Sequence, residues 1–362
     1  MRILVGVQGT GNGHLSRCTA LAEALQQHPS VQVDYLISGR AREHFFDMEA
    51  FPGWQWRKGL SFAVEHGQIN VRKTLAQNDW KQFWDDVKAL DLTAYDLVVT
   101  DYEPVVAWAA RRQGKRCIGI GRQYAFYKPT QTLKLPWFYQ QLIRWFAPVQ
   151  DVVGMHWVAD GNHILPPIVH HRAVAEQIET DRYLVYLPFE SLLNVHRLLV
   201  QFPQYKFSVF HPDAKRQRIA GIDYYPPSRQ RFAEHFVKAE GVISNAGFET
   251  SCEALAYGKK LLVRPLAGQF EQLANARCLA ELGLASQLSE ITPSSLADWF
   301  ATAQRNQCFW PDVGAEIAAW LAAGAETPVA ELSRRLWRQA DQSDYRDLLR
   351  SDLRSDLRLQ RS

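Results

Sequence analysis

Residues 1–25 read MRILVGVQGTGNGHLSRCTALAEAL, and the stretch inside them that decides the fold is GTGNGHLSR, residues 9–17. Before it, RILVGV (2–7) is a short apolar run with β-branched residues, stopped by Gly9, the pattern of a buried parallel strand. After it, Leu15, Cys18, Leu21, Ala22 and Leu25 recur at helical spacing. A strand, a glycine-rich turn and a helix in that order present backbone N–H groups at a helix N-terminus, whose partial positive charge suits an anion. A turn uses one glycine or two; here Gly9, Gly11 and Gly13 are followed by His14. A dinucleotide site of the GxGxxG type fits poorly. Its third glycine arrives one residue early, and the second strand ends Ser38-Gly39-Arg40, without the acid that would hold a ribose. A GxxxxGK[ST] phosphate loop does not occur. Two readings remain: glycines that only let helix pack on strand, with His14 as cap or filler, or a ligand site.

The second half of the chain weighs between them. In VISNAGFETSCEALAYGKKLLVRPLAGQFEQLANA (242–276) a strand again ends in a small turn, Asn245-Ala246-Gly247. Thr250 and Ser251 stand in the first turn of the following helix, Glu253 comes next, and Gly258 ends it. The next strand ends at Pro265, and its loop leads through Gln269, Glu271 and Gln272 into a helix holding Asn275. In a doubly wound sheet such loops gather at the carboxyl ends of the strands, where ligands bind. A helix N-terminus with hydroxyls suits a diphosphate, a carboxylate one turn in suits ribose hydroxyls, and Glu271 with Gln272 suits a polyol. Singly, Glu253 reads as an exposed helix acid and Gln272 as a surface amide; the order and spacing of the whole set favour a site.

The rest of the chain fits two such units. At 362 residues it is long enough for two cores, and 47% hydrophobic with 22% charged residues is ordinary for a globular protein. A net charge of +3 offers no concentrated basic face for nucleic acid. The five cysteines have no CxxC spacing, so reduced thiols and a cytoplasmic location are expected. Neither a secretory leader nor a membrane-spanning run is expected. Further strands are expected at 31–38, 95–102 and 115–121, then, beyond a linker at HILPPIVHH (163–171), at 182–189, 205–212, 241–247 and 259–266. The expected division is 1–165 and 166–327, two α/β domains, and 328–362, a charged helical tail, partly solvated or disordered, ending in the repeat RSDLRSDLR (350–358).

These motifs resemble those of GT-B glycosyltransferases, most closely family 28, which includes the lipid II-forming N-acetylglucosaminyltransferase and the galactolipid synthases. That family's GGTGGH is similar to Gly9-Thr10-Gly11-Asn12-Gly13-His14. Its second signature is matched by Asn245-Ala246-Gly247, Thr250, Glu253 and Gly258, and its last by Pro265, Glu271-Gln272 and Asn275-Ala276. The resemblance implies an α/β fold of two doubly wound Rossmann-like domains around a cleft. It also implies inverting transfer from a nucleotide sugar, a UDP-sugar, with no cofactor. Gly11, Gly13, Asn245, Gly247, Thr250, Glu253, Glu271, Gln272 and Asn275 would bind the donor. The chain departs from the family at Leu187-Pro188-Phe189-Glu190-Ser191, where a glycine-rich turn is usual; Glu190 there would repel a phosphate.

Histidine is the residue type suited to proton transfer near neutral pH, so His14 suits a general base at the cleft. Asp101, at a strand end, reads either as a group orienting His14 or the acceptor, or as a cap on the next helix. Arg122, Gln123 and Tyr124 are expected to face the same cleft. With no DxD triplet, helix N-termini rather than a metal are expected to neutralise the leaving diphosphate. The segment 124–149 mixes Trp, Tyr and Phe with Lys and Arg and has no acid, which fits contact with a membrane surface and a lipid-linked acceptor, or else a core helix with outward basic residues. A UDP-sugar 2-epimerase of the same fold and a non-catalytic nucleotide-sugar-binding protein are the alternatives; the second would not need His14.

Overall fold

The computed structural model describes residues 1–61, 64–65, 68–69, 71–133, 135–170 and 177–340. The first half builds β1 (Arg2–Gln8), β2 (Gln32–Ser38), β3 (Gln55–Trp56), a separate hairpin of β4 (Val64–Glu65) and β5 (Gln68–Ile69), then β6 (Leu97–Asp101), β7 (Cys117–Gly121), β8 (Asp151–Met155) and β9 (Ile164–Leu165). The second half builds β10 (Glu179–Tyr186), β11 (Lys206–Phe210), β12 (Gln217–Ile219), β13 (Ile222–Tyr225), β14 (Ala239–Asn245), β15 (Lys260–Arg264) and β16 (Ser286–Gln287). They form two sheets, ordered β3-β2-β1-β6-β7-β8-β9 and β12-β13-β11-β10-β14-β15-β16. Within both sheets every pairing is parallel except β12 with β13.

Each strand expected from the sequence is present. They are buried on both faces, so they read as continuous apolar runs: Ile3, Leu4, Val5 and Val7 of β1 are all at most 1% exposed. In each sheet the order reverses once, between β1 and β6 and between β10 and β14, and those points carry the crevices where open α/β sheets bind ligands. Residues 9–14 and Asp101 lie at the first, 187–191 and 245–247 at the second.

The two sheets share one apolar core. Trp157, after β8, tilts against Phe248 of the second half at 4.9 Å between ring centroids, and its Nε1 donates to Cys252 Sγ at 3.1 Å. The chain also crosses back. The helix Val313–Ala322 packs on the helix Asn12–Leu25. The helix Val329–Gln339 buries Leu332 and Leu336, while Ser333 Oγ and Trp337 Nε1 donate to Ile164 O of β9 at 2.6 and 2.8 Å. The charged tail therefore begins with a docked helix rather than a solvated one, and the return to the first sheet precedes residue 327, where the sequence suggested a boundary. The repeat at 350–358 lies outside the described residues. Part of the expected linker, Ile164–Leu165, is itself a sheet strand.

Candidate active site

The helix Asn12–Leu25 starts at Gly11, whose extended backbone (φ −123°) ends the turn and supplies no side-chain cap. Its first turn lifts His14 beside the end of β6, which the pairing of Val7 with Asp101 brings alongside. His14 Nδ1 lies 2.8 Å from Asp101 Oδ1. Arg17, one turn further on the same helix face, grips that carboxylate with two donors of one edge: Nε to Oδ2 at 2.9 Å and Nη2 to Oδ1 at 2.7 Å. Cys18 Sγ donates to Oδ2 at 3.0 Å.

Burial works against the charge on Asp101, but Arg17 and then His14 outweigh it and hold the carboxyl well below the usual range. Asp101 is thus an ionised acceptor. It favours the His14 tautomer with the proton on Nδ1, donating to Oδ1, and leaves Nε2 as the basic nitrogen. Asp101 does not cap the next helix. That cap is Glu103, whose carboxylate accepts from Val105 N at 3.0 Å and Val106 N at 2.7 Å.

The second half closes over this group from two sides. Gln123 Nε2 lies 3.4 Å from His14 Nε2 and donates to Glu271 Oε2 at 3.1 Å. Glu249, in the first turn of the helix Phe248–Ala256, forms an ion pair with Arg17. That helix starts at Gly247 with no side-chain cap. Thr250 is half-buried in its first turn and Glu253 is buried one turn on. Asn245 Nδ2 donates to Arg264 O at 3.0 Å. Glu190, feared as a repellent to phosphate, forms an ion pair with Arg264.

Three expectations need correction. Arg122 and Tyr124 do not face the cleft: both are fully buried. The Arg122 guanidinium lies over the rings of Phe126, Trp157 and Phe248 at 4.7, 5.0 and 4.7 Å, and burial lowers its pKa to about 10. Asn275, expected at the donor, is 0% exposed. Its Oδ1 accepts from Arg122 Nε and Nη2 at 3.1 and 2.9 Å and its Nδ2 donates to Ala246 O at 3.1 Å, so it joins the two halves from inside. Gly13 was expected among the residues that bind the donor. A Cβ there would sit 2.6 Å from Glu249 Oε2, so the space is taken by a side chain of the second half.

Gln272 is buried and accepts from Leu266 N at 3.1 Å, which orients it at the end of the loop after β15. In 124–149, residues 124–127 and Phe146 are buried, whereas Trp137 and Phe138 stand 73% and 58% exposed. Beside them Tyr139 contacts Phe270 across the cleft at 3.8 Å, and Leu273 is exposed. Arg17 and Glu249 went unmarked in the sequence. Arg17 had a signal, its place three residues after His14; Glu249 had none, because only the closure of the two halves gives it a partner.

The sequence model of glycosyl transferase family 1 matches residues 1–303. The chain belongs to that family. This glycosyltransferase has the two-sheet GT-B fold, and the matching family is 1 rather than the family 28 its motifs resemble. Solved structures share the fold over nearly its whole length. The glycotransferase of kitacinnamycin is 15% identical, with a TM-score of 0.55 over 93% of this chain and 98% of its own. SnogD from Streptomyces nogalater is 17% identical, with a TM-score of 0.54 over 93% and 98%. The spinosyn rhamnosyltransferase SpnG, solved with thymidine diphosphate, is 14% identical, with a TM-score of 0.55 over 93% and 100%. No curated protein matches the chain.

Proposed function

We propose that this glycosyltransferase moves a sugar from a UDP-sugar to the hydroxyl of an apolar, lipid-linked acceptor, with inversion, in glycolipid or cell-envelope glycan synthesis at the cytoplasmic face of a membrane. The observation that carries the reading is the His14–Asp101 contact at 2.8 Å, set at the mouth of the cleft opposite the uncapped helix start at Gly247. His14 Nε2 takes the acceptor proton, and Asp101 holds the imidazole in the required tautomer and stabilises the imidazolium that forms. The open N–H groups of the helix Phe248–Ala256, with Thr250, meet the leaving diphosphate, and Glu253 meets the ribose hydroxyls. Glu271 and Gln272 contact the sugar. A diphosphate donor gains support from SpnG, whose structure holds thymidine diphosphate. The apolar acceptor gains support from Trp137, Phe138 and Leu273, exposed apolar side chains of which Leu273 follows Glu271 by two residues.

The test is calorimetry of UDP and dTDP against the wild-type chain and Glu253→Ala, followed by flotation with anionic vesicles. UDP binding that weakens in the variant supports the donor site; tighter dTDP binding moves the donor class to thymidine sugars; no binding of either overturns the reading. Vesicle binding that disappears in Trp137→Ala/Phe138→Ala supports the membrane contact, and vesicle binding unchanged by that pair of substitutions removes it.

A further inference from the structure

The ion pair between Arg17 and Glu249 crosses the cleft, and its geometry reaches the proposed base. The guanidinium of Arg17 is 2% exposed and has two occupied sides. Its Nε–Nη2 edge holds Asp101, and its Nη1 holds Glu249. The same Nη2 lies only 3.2 Å from His14 Nδ1. Nη2 has two N–H groups, but they diverge, and Asp101 Oδ1 and His14 Nδ1 stand only 2.8 Å apart on one side of it, so a single N–H faces both and its choice biases the imidazole. While it donates to Asp101, His14 Nδ1 keeps its own proton and donates to Asp101 as well. If the guanidinium turned so that Nη2 donated to His14 Nδ1, that nitrogen would have to be bare. The proton would then sit on Nε2, the atom that has to accept one.

We propose that Glu249 is a positioning residue supplied by the second half: by holding Arg17 Nη1 it keeps Nη2 on Asp101, which adds to the preference of His14 for the tautomer with its basic nitrogen in the cleft. The inference rests on the reading of His14 as base. It also accounts for Gly13, because any side chain there would push the Glu249 carboxylate away. Pairing with Arg17 further neutralises an acid that otherwise stands in the first turn of a helix meant for a diphosphate.

The test reads the imidazole directly. Nitrogen-15 spectra of the histidine-labelled full-length chain, recorded at alkaline pH with the imidazole neutral and assigned by loss of the signal in His14→Ala, report which ring nitrogen carries the proton. The wild type is expected to show it on Nδ1. Glu249→Gln, isosteric and partly exposed, is expected to move a substantial share to Nε2, and Glu249→Asp to restore part of the Nδ1 form. Gly13→Ala should reproduce the Glu249→Gln spectrum, since it displaces the same carboxylate from the other side. With the donor identified by calorimetry, Glu249→Gln should lower kcat by up to about 100-fold at unchanged donor KM. The double variant His14→Ala/Glu249→Gln should be no slower than His14→Ala. A His14 spectrum identical in wild type and Glu249→Gln overturns the proposal. So do losses that multiply in the double variant. A folded His14→Ala with wild-type kcat removes the base itself, which the spectra distinguish from failure of the relay alone.

Discussion

Of the helices that begin at the carboxyl ends of sheet strands, three show two ways of beginning. The helix Pro104–Gln113 is closed at its start: Glu103 accepts from two of its first N–H groups, Pro104 occupies its first turn, and Gly114 in the left-handed region (φ 64°) ends it. The helices Asn12–Leu25 and Phe248–Ala256 begin at Gly11 and Gly247 with no side-chain cap. Capping is worth roughly 0.5–2 kcal/mol, which these two starts forgo, as do those at Ser191 and Gln269; in the proposed reading the starts at Gly11 and Gly247 leave their N–H groups open for a ligand. The open starts also differ. The first carries His14 and Arg17; the second carries Glu249, Thr250 and Glu253. In the proposed reading one half supplies the proton acceptor and the other the anion site, and the Arg17–Glu249 ion pair and the Gln123–Glu271 hydrogen bond join them.

The comparison breaks most visibly at His14. His14→Ala should lower kcat by about 10²–10⁴-fold while UDP affinity stays nearly constant, because the proposed donor contacts lie across the cleft. A folded variant within a few-fold of wild type would leave His14 a packing residue and the first open start without a purpose.

The closed start makes a contrasting prediction. Burial raises the pKa of Glu103 from 4.5 to about 7, although Ser38, Val106 and Val105 donate to it. A carboxyl with a raised folded-state pKa binds its proton more tightly in the folded chain. Its contribution to stability is therefore present below about pH 4.5 and is lost as pH rises through about 7, a change of roughly 3 kcal/mol. Melting curves from pH 5 to 8 should show the wild type losing stability more steeply with pH than Glu103→Gln, with UDP binding of the two alike at a fixed pH. Parallel curves would mean that the N–H donors keep Glu103 ionised throughout.

A smaller effect sharpens the second open start. Glu253→Ala should weaken UDP binding by roughly 1.5–3 kcal/mol through lost charge-assisted hydrogen bonds, which calorimetry measures. Equal UDP affinity in variant and wild type would put the ribose elsewhere. The smallest expected effect is none: if helix N-termini neutralise the diphosphate, chelation with EDTA should leave turnover unchanged. Activity lost to EDTA and restored by manganese would show that an open helix start is not sufficient.

The succession of strands along the chain and the two glycine turns were legible because each is local. β-branched runs, glycine spacing and helical periodicity are set within a few residues of one another. The contacts of Asp101 were legible only as an alternative, since an acid at a strand end also caps helices; the packing of β6 beside β1 chose between the two. Arg122 misled because a cation after a strand reads as a cleft residue, and nothing local announces three aromatic rings from both halves closing on it.

By itself the sequence determined two doubly wound units, their open helix starts and the chemical types of His14, Thr250, Glu253 and Glu271. These follow from backbone preference and hydrophobic period, which short range controls. Tertiary structure alone decided that Asn275 is an internal brace and that the tail helix docks on β9. It also decided that Gly13 makes room for Glu249 and that Arg17 links the two halves. Each of these depends on what a side chain meets from a segment more than a hundred residues away. A buried charge or amide takes its role from whichever partner satisfies it there.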